Sequence, residues 1–482
     1  MIRSLPLLLV LLAFPSAASA ENDYNVLMIC VDDLRPELGC FGRSPTVSPN
    51  LDDLARSSCV FRQHFVQVPT CGASRFALLT GRSPAESGAL GNEALYNGKT
   101  ALSRKQLPGA QTMPELFRRS GYHTTLIGKV SHTADGKVYA YNGKGDGRDE
   151  VPHAWDDLAT PYGPWKRGWG IFFAYADGKH REDGQGHKDL MQFTAEEDTD
   201  LPDGLMAETA IEKLEAYQKS GERFFMGLGF FKPHLPFVAT KKDWEAVDAL
   251  EIEPAPHDEK PETAYWHKSG EFYKYNMPLE KTHPLSKEDQ ITARKAYLAC
   301  VRYTDRQIGK VLGALQETGL DQSTIVVVWG DHGWHLGESA IWGKHSSLER
   351  ALKSPLLVKV PGVTDQGKMT DALAETLDIY PTLIDLCQPK FRQTTHPLAG
   401  RSLAPVISGE QDSVRDVAIS YWRGGQVSVR SPDYRLIGTR RNGELKNLEL
   451  YDIHESPDPV RNLADEKPEI VTKLGKAAQE VQ

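Results

Sequence analysis

The sequence predicts an α/β protein, a mostly parallel sheet flanked by helices, with a small antiparallel-sheet subdomain at its C-terminal end. Three observations predict it. Short unbroken apolar runs alternate with stretches of helical periodicity, which is how strands covered on both faces read. Four of those runs stop at an aspartate, a lysine or a loop holding a histidine, so their polar ends should meet along one edge of the sheet, where open α/β sheets bind ligands. Beyond about Leu398 the cadence becomes short alternating runs, 417–422, 427–429 and 435–438, without helices between them.

Taken in order, Arg3, the apolar run 5–14 and Ala18-Ser19-Ala20 have the three regions of a secretory signal peptide. The expected organisation is therefore 1–20 signal peptide, 21–397 main domain and 398–482 C-terminal α+β subdomain. Residues 26–31 form the first strand and end at Asp32-Asp33. Ser48 and Pro49 open a helix as N-cap and first residue, with Leu51, Leu54 and Ala55 at helical spacing. Thr70-Cys71-Gly72-Ala73-Ser74-Arg75 leads into Phe76-Ala77-Leu78-Leu79 and Thr80-Gly81-Arg82, which places Cys71 at a helix N-terminus beside an arginine. Thr112 and Glu115 have capping-box spacing, and the helix they start closes at Gly121. The next strand, 123–128, runs into Lys129, with His132 three residues on. A helix over 205–218 precedes a strand over 224–230 and the stiff loop Lys232-Pro233-His234-Leu235-Pro236. A long helix from about 289 to 318 leads into strand 324–329 and then Gly330-Asp331-His332-Gly333. Residues 134–167, rich in Gly and Asp, read as a long surface loop.

With 482 residues, 40% hydrophobic and 25% charged, the chain is an ordinary globular protein able to bury a full core. A net charge of -9 disfavours nonspecific nucleic-acid binding but leaves room for an anionic ligand in a locally positive cleft. No run after the first approaches the roughly 20 apolar residues of a membrane helix, so no membrane anchor is expected. Six cysteines without close framework or Cys-x-x-Cys spacing allow at most an isolated disulfide. No Asn-x-Ser/Thr acceptor occurs, which fits a bacterial periplasmic or secreted protein better than a glycan-sorted one.

Asp32, Asp33, Asp331 and His332 bring three carboxylates and an imidazole from two strand ends, an oxygen-rich set that suits one Ca²⁺ or Mg²⁺ better than zinc. Lys129, His132, His234 and Lys344 add cations and proton carriers suited to gripping a tetrahedral oxyanion and protonating a leaving oxygen. The helix dipole and Arg75 give Cys71 the positive surroundings a nucleophile needs when its target is an anionic ester. Singly each residue has an ordinary explanation: a turn aspartate, a solvated lysine, a buried apolar cysteine. Their common placement at strand ends carries the reading. His64, His335 and His345 lie near these motifs and read as structural histidines.

Together, Val31-Asp32-Asp33-Leu34-Arg35-Pro36, Cys71-Gly72-Ala73-Ser74-Arg75 with Leu79-Thr80-Gly81-Arg82, Gly128-Lys129, Lys232-Pro233-His234 and Asp331-His332-Gly333-Trp334 resemble the type I sulfatases, nearest to the iduronate-2-sulfatase group. The likeness runs from about Asn25 to Ala464 and includes Leu450-Tyr451-Asp452 and Pro457-Asp458. The resemblance implies a large mixed, mostly parallel sheet of alkaline phosphatase/sulfatase type. It also implies that a maturation enzyme converts Cys71 to formylglycine, whose hydrated aldehyde supplies the attacking oxygen and a metal ligand. Asp32, Asp33, Asp331, His332 and residue 71 would hold one Ca²⁺. Arg75 and Lys129 would steady the formylglycine, His234 and Lys344 would bind sulfate and protonate the ester oxygen, and His132 would take a proton as sulfate is released. Trp334 could pack on a sugar ring, a core tryptophan being the equal alternative. Ala73 stands where proline is commoner, which bears on the choice of maturation enzyme. A sulfated glycan met outside the cytoplasm is the implied substrate, a sulfated uronic acid the best guess. Two alternatives stay open: a phosphate or phosphonate ester hydrolase of the same superfamily, and a sulfated-glycan binding protein without catalysis.

Overall fold

The computed structural model describes residues 23–43, 45–141, 144–280 and 282–480, so the expected signal peptide lies outside the described residues. Eight strands form the main sheet: β1 (Asn25–Val31), β2 (Cys59–Phe65), β3 (His123–Gly128), β4 (Asp157–Leu158), β5 (Phe224–Phe230), β6 (Thr324–Gly330), β7 (Leu356–Lys359) and β8 (Lys368–Glu375), in the spatial order β8-β2-β7-β6-β1-β5-β3-β4. The sheet is mixed and mostly parallel, since β7 alone runs against its neighbours β2 and β6. All seven residues of β1 are buried. Leu27, Ile29 and Val31 face one apolar cluster, and Val26, Met28 and Cys30 face the other, so the period-2 alternation of a strand feeds two helical layers at once.

The helices that cover the sheet include α1 (Pro49–Ala55), α2 (Cys71–Thr80), α3 (Met113–Arg119), α4 (Pro202–Ser220) and α5 (Lys287–Glu317). The long α5 buries Ala293, Ala296, Tyr297, Cys300, Val301 and Ile308 along one stripe against the β1 side of the core. Ser286 caps it, its Oγ accepting from the Asp289 amide.

Two caps expected from the sequence form differently. Ser48 makes no cap bond and instead donates its hydroxyl to Asp52 and accepts from the Gly39 amide. Glu115 reaches back past Thr112 to the Gln111 amide, leaving the Thr112 hydroxyl buried without a partner. All six cysteines are buried and free, so no disulfide forms. Residues 134–167 are not simply a surface loop: β4 pairs in parallel with β3 as the sheet's edge, and Ala134, Glu150, Val151 and Ala154 are buried.

The C-terminal sheet is an antiparallel meander of β9 (Ala418–Trp422), β10 (Gln426–Arg430), β11 (Tyr434–Arg441) and β12 (Glu444–Asp452), with α6 (Pro468–Glu480) against it. Leu403, Val406 and Ile407 still pack in the main core, whereas Ile419 opens the separate cluster of this sheet. β9 bonds back to the chain leading into α2: Tyr421 N donates to Gln67 O (2.7 Å) and Ser420 Oγ to Val66 O (2.6 Å). At the same seam Arg430 and Arg435 close on buried Glu349 and, overcoming its burial, hold that carboxyl at about 2.

Candidate active site

Register brings the site together. Val31 lies opposite both Phe230 and Gly330, and Gly128 opposite Gly229, so β1, β3, β5 and β6 end at one level. The residues that follow those ends, Asp32-Asp33, Lys129 and Asp331-His332, therefore emerge side by side. α2 points its N-terminus at them, with Cys71 as its first residue. Gly72 lets this helix start lie against the next segment: a Cβ there would sit 2.1 Å from Asn92 O. Asn92 Oδ1 accepts from the Gly72 amide (3.0 Å) and from Thr70 Oγ1 (3.2 Å), fixing the turn into the helix.

Cys71 Sγ has two polar neighbours, His332 Nε2 and Lys344 Nζ, each at 3.3 Å. Burial, with Asp32 adding to it, pushes the Cys71 thiol well up, so it is protonated and a poor thiolate nucleophile as it stands. That argues against direct thiolate chemistry of the cysteine-phosphatase kind. Lys344 Nζ also donates to Asp33 Oδ1 (2.6 Å), and although burial opposes it, Asp33 holds Lys344 charged. His332 bonds through Nδ1 to Gly333 O (2.9 Å); the carbonyl can only accept, so Nδ1 carries the hydrogen and Nε2 presents a lone pair.

Arg75 is fully buried and aims at the strand ends rather than at Cys71. Nε donates to Asp331 Oδ2 (3.0 Å), Nη2 to Asp32 Oδ1 (3.2 Å), and Nη1 to the carbonyls of Lys129 and Val130. Lys129 Nζ donates to Asp32 Oδ2 (2.6 Å) and lies over the Phe172 ring at 4.2 Å. Against burial, Lys129 and Arg75 together hold Asp32 well below the usual carboxylate range. Asp33 goes the other way: burial pushes it well up, and Asp32 and Asp331 add to that against the pull of Lys344.

His234 Nε2 lies 3.7 Å from Asp33 Oδ2, and Nδ1 bonds to Leu235 O (2.6 Å). Burial and then Lys344 hold its imidazole neutral. Its loop is pinned by Asp203, which accepts from the amides of Phe231 (3.0 Å) and Lys232 (2.9 Å). His132 is buried against Trp169, kept neutral by burial and Lys129, with Nδ1 unpartnered. Its amide donates to buried Glu150 (3.0 Å).

Oxygen, nitrogen and sulfur atoms of Asp32, Asp33, Cys71 and His332 all lie within 4.8 Å of one another. Asp33 Oδ2 is buried with no hydrogen-bond partner, an orphan acceptor that a hard cation would satisfy. These donors fit such an ion. Asp331 lies beside the four, its Oδ1 3.5 Å from His332 Nε2, and its carboxylate also meets Arg75 and the Asp33 amide (2.9 Å). Of the two readings of Trp334 the structure takes the core one: it is 1% exposed, packed in the main core with Lys344 Nζ 5.3 Å from its ring, so it offers no face to a sugar. His64 and His335 are buried and bonded to Ser354 and Ser346, as structural histidines.

Residues 24–388 match the sequence model of the family described as Sulfatase, and residues 337–482 match N-sulphoglucosamine sulphohydrolase, C-terminal. The chain belongs to the sulfatase family. It is a type I sulfatase of the alkaline phosphatase superfamily, a sulfuric ester hydrolase. Human iduronate 2-sulfatase is 32% identical over 460 residues, covering 92% of this chain and 77% of that protein. A sulfatase of Formosa agariphila is 28% identical over 474 residues, covering 92% of this chain and 83% of its own. Among solved structures, a phosphonate monoester hydrolase from Silicibacter pomeroyi aligns with a TM-score of 0.72 at 22% identity, over 95% of this chain and 94% of that one.

Several residues that shape this sulfatase's site escape a reading of motifs. Glu271 Oε1 lies 4.0 Å from His234 Nε2, and Phe172 packs on His234 at 4.7 Å and under Lys129. Glu150 holds the His132 turn from within the supposed surface loop. Asp203 could have been found, since an acid behind Pro202 at a helix start has a known local use; Glu150, Glu271 and Phe172 carry no local signal.

Proposed function

We propose that this sulfatase is exported and removes sulfate esters from sulfated sugars, through a formylglycine made from Cys71 by a maturation enzyme and one bound Ca²⁺. The observation that carries the reading is the set of donors around Cys71 with the orphaned buried Asp33 Oδ2 among them. Hydrated formylglycine would supply an attacking oxygen, and the cation would draw charge from a sulfate oxygen. Asp32, Asp33, Asp331, His332 Nε2 and residue 71 would hold the cation, with Asp331 also accepting from the Asp33 amide.

The remaining steps rest on this chain's own groups. Lys344 Nζ, beside residue 71 and charged, grips a sulfate oxygen and carries a proton toward the ester oxygen. His234 binds alongside it; with its hydrogen on Nδ1, it can donate from Nε2 only once the incoming anion has raised its proton affinity. Neutral His132, with a free buried Nδ1, suits the acceptor of a proton as sulfate leaves. Arg75 and Lys129 fix Asp32 and the strand ends.

For the substrate, the likeness to iduronate 2-sulfatases supports a polysaccharide or glycosaminoglycan-like oligosaccharide, with a 2-O-sulfated uronic acid as the specific candidate. A structural neighbour solved in complex with its substrate D-glucosamine-2-N,6-O-disulfate, at a TM-score of 0.71 and 20% identity over 95% of this chain and 98% of that one, is consistent with that class. The test is the mass of the peptide carrying Cys71 from protein made with a maturation enzyme, together with turnover of a sulfate and a phosphonate monoester of one phenol. An aldehyde at residue 71 with a sulfate preference is expected. Unmodified cysteine in protein that still releases sulfate would overturn the nucleophile, and a large phosphonate preference would overturn the substrate class.

A further inference from the structure

A cavity of about 640 Å³ opens beside the reaction centre, walled by residues that include Arg181, Lys188, His267, Glu271, Lys274 and His345. Its size is in the range that holds a drug- or disaccharide-sized ligand. Two contacts join it to the site: Glu271 Oε1 is 4.0 Å from His234 Nε2, and His345 Nε2 is 3.2 Å from the hydroxyl of Thr70, the residue before Cys71. His345 in turn stacks on Trp422 of the C-terminal sheet, with centroids 5.4 Å apart and planes at 11°. Arg423, in the turn between β9 and β10, sits over the same indole at 5.4 Å.

The charges of this wall are not all engaged. Arg181 is occupied by Glu182 at 2.8 Å and by the Phe173 ring at 3.3 Å. Lys188, Lys274 and Arg423 are exposed, and among the described residues none of them has a carboxylate partner. Lys188 and Lys274 line the opening from two separate segments, and Arg423 flanks it behind Trp422 and His345, in a chain whose net charge is -9. The field of Arg423 and Lys274 reaches His345, which burial, Lys344, His267, Arg423 and Lys274 together push down to about 3. A ligand that bore only the reacting sulfate would leave these three cations facing water.

We propose that this cavity reads a second anionic group, on the sugar that bears the reacting sulfate ester or on the sugar next to it, through Lys274, Arg423 and Lys188. The inference rests on the sulfate-ester reading above and narrows it to polyanionic substrates, with the C-terminal sheet contributing to selectivity through Arg423. A carboxylate and a second sulfate offer the same chemistry to these cations. Each exposed charge contact is worth up to about fivefold in affinity, so the cluster should discriminate by about tenfold or more.

The test uses mature enzyme with the aldehyde at residue 71 verified by mass. Its kcat/KM is measured on a 2-O-sulfated uronate disaccharide, on the carboxyl-reduced analogue, on that analogue bearing a second sulfate, and on an uncharged aryl sulfate. The expected result is a roughly tenfold preference for one or both dianionic disaccharides over the reduced analogue, shrinking as salt rises and falling to about twofold in K274Q/R423Q. The larger of the two gains identifies carboxylate or sulfate as the group read. Equal kcat/KM with and without the second charge, or a preference that survives in K274Q/R423Q, would overturn the proposal while leaving sulfatase turnover intact. No sulfate release even from the aryl ester would instead defeat the underlying reading.

Discussion

Gly229→Ala offers a demanding test of how the fold holds the site. Gly229 lies in β5 directly beside the point where β3 leaves the sheet, and a Cβ there would sit 2.2 Å from the carbonyl carbon and oxygen of Lys129 and 2.6 Å from its nitrogen. The facing residue, Gly128, has φ +72 and would place a Cβ 2.1 Å from Gly229 O, so the two strands approach through paired glycines. Carbon contacts settle near about 3.5 Å, so an alanine must drive the Lys129 backbone away by roughly 1 Å. That backbone accepts from Arg75, and its side chain reaches Asp32 at 2.6 Å, so the displacement runs straight into the buried ion cluster. Misplacement on this scale costs about a hundredfold in rate, and overpacking costs about 1–3 kcal/mol of stability. Turnover of an aryl sulfate and calorimetric unfolding would be measured on mature protein. Gly227→Ala is the control, because its Cβ would meet movable side chains, Val130 at 2.9 Å and Trp155 at 3.0 Å, and a much smaller rate loss is expected. A folded Gly229→Ala enzyme with kcat/KM within about threefold of the parent would refute the idea that this crossing fixes Lys129.

Cys71→Ala should abolish turnover while unfolding at nearly the parent temperature, since a buried thiol is replaced by a smaller apolar group; retained turnover would remove Cys71 from the reaction. Asp331→Asn should act on stability as well as on metal affinity, because it strips the buried Arg75 of one of its two carboxylates. A loss of about 3–5 kcal/mol is expected from denaturant midpoints of metal-free protein, and an unchanged midpoint would show that Asp331 is not the clamp described here. His64 sets a pH dependence. Burial pushes it from 6.5 down to about 3, so the unfolded chain binds its proton first; the contribution is complete above pH 6.5 and is lost as pH falls toward 3, by about 1.4 kcal/mol per unit. The stability drop between pH 7 and pH 5 should therefore be about 2 kcal/mol smaller in His64→Gln, and equal drops in the two proteins would contradict the assignment.

The strands were legible because their signal is local. β1 is buried on both faces and so reads as an uninterrupted apolar run, and the aspartates beyond it mark where the sheet stops. The same logic located Lys129, His234, Asp331 and His332. What failed to show was set by partners distant in the chain. Trp334 follows the Asp-His-Gly motif, yet whether its ring meets solvent depends on the packing around it and on Lys344, which no spacing reveals. Thr112 and Glu115 have capping-box spacing, but the Gln111 amide takes Glu115 instead. Glu150 sits in a Gly- and Asp-rich stretch that looks unstructured, and only pairing of β4 with β3 brings it under His132.

The ionic make-up of the centre explains why so polar a cluster can be buried at all. Asp32, Asp33 and Asp331 are matched by Arg75, Lys129 and Lys344, three acidic groups against three basic ones, every one of them in a contact of 3.2 Å or less. Pairing of this kind is what lets ionised groups leave water without prohibitive cost. The balance is not evenly shared, however. Arg75 and Lys129 both serve Asp32, which stays ionised, whereas Asp33 has only Lys344 and keeps one oxygen unpartnered. That uneven sharing leaves a buried acceptor in place for a cation. A divalent cation held there would add two positive charges beside Lys344 and His234, a surplus that favours a sulfate ester over a neutral ligand.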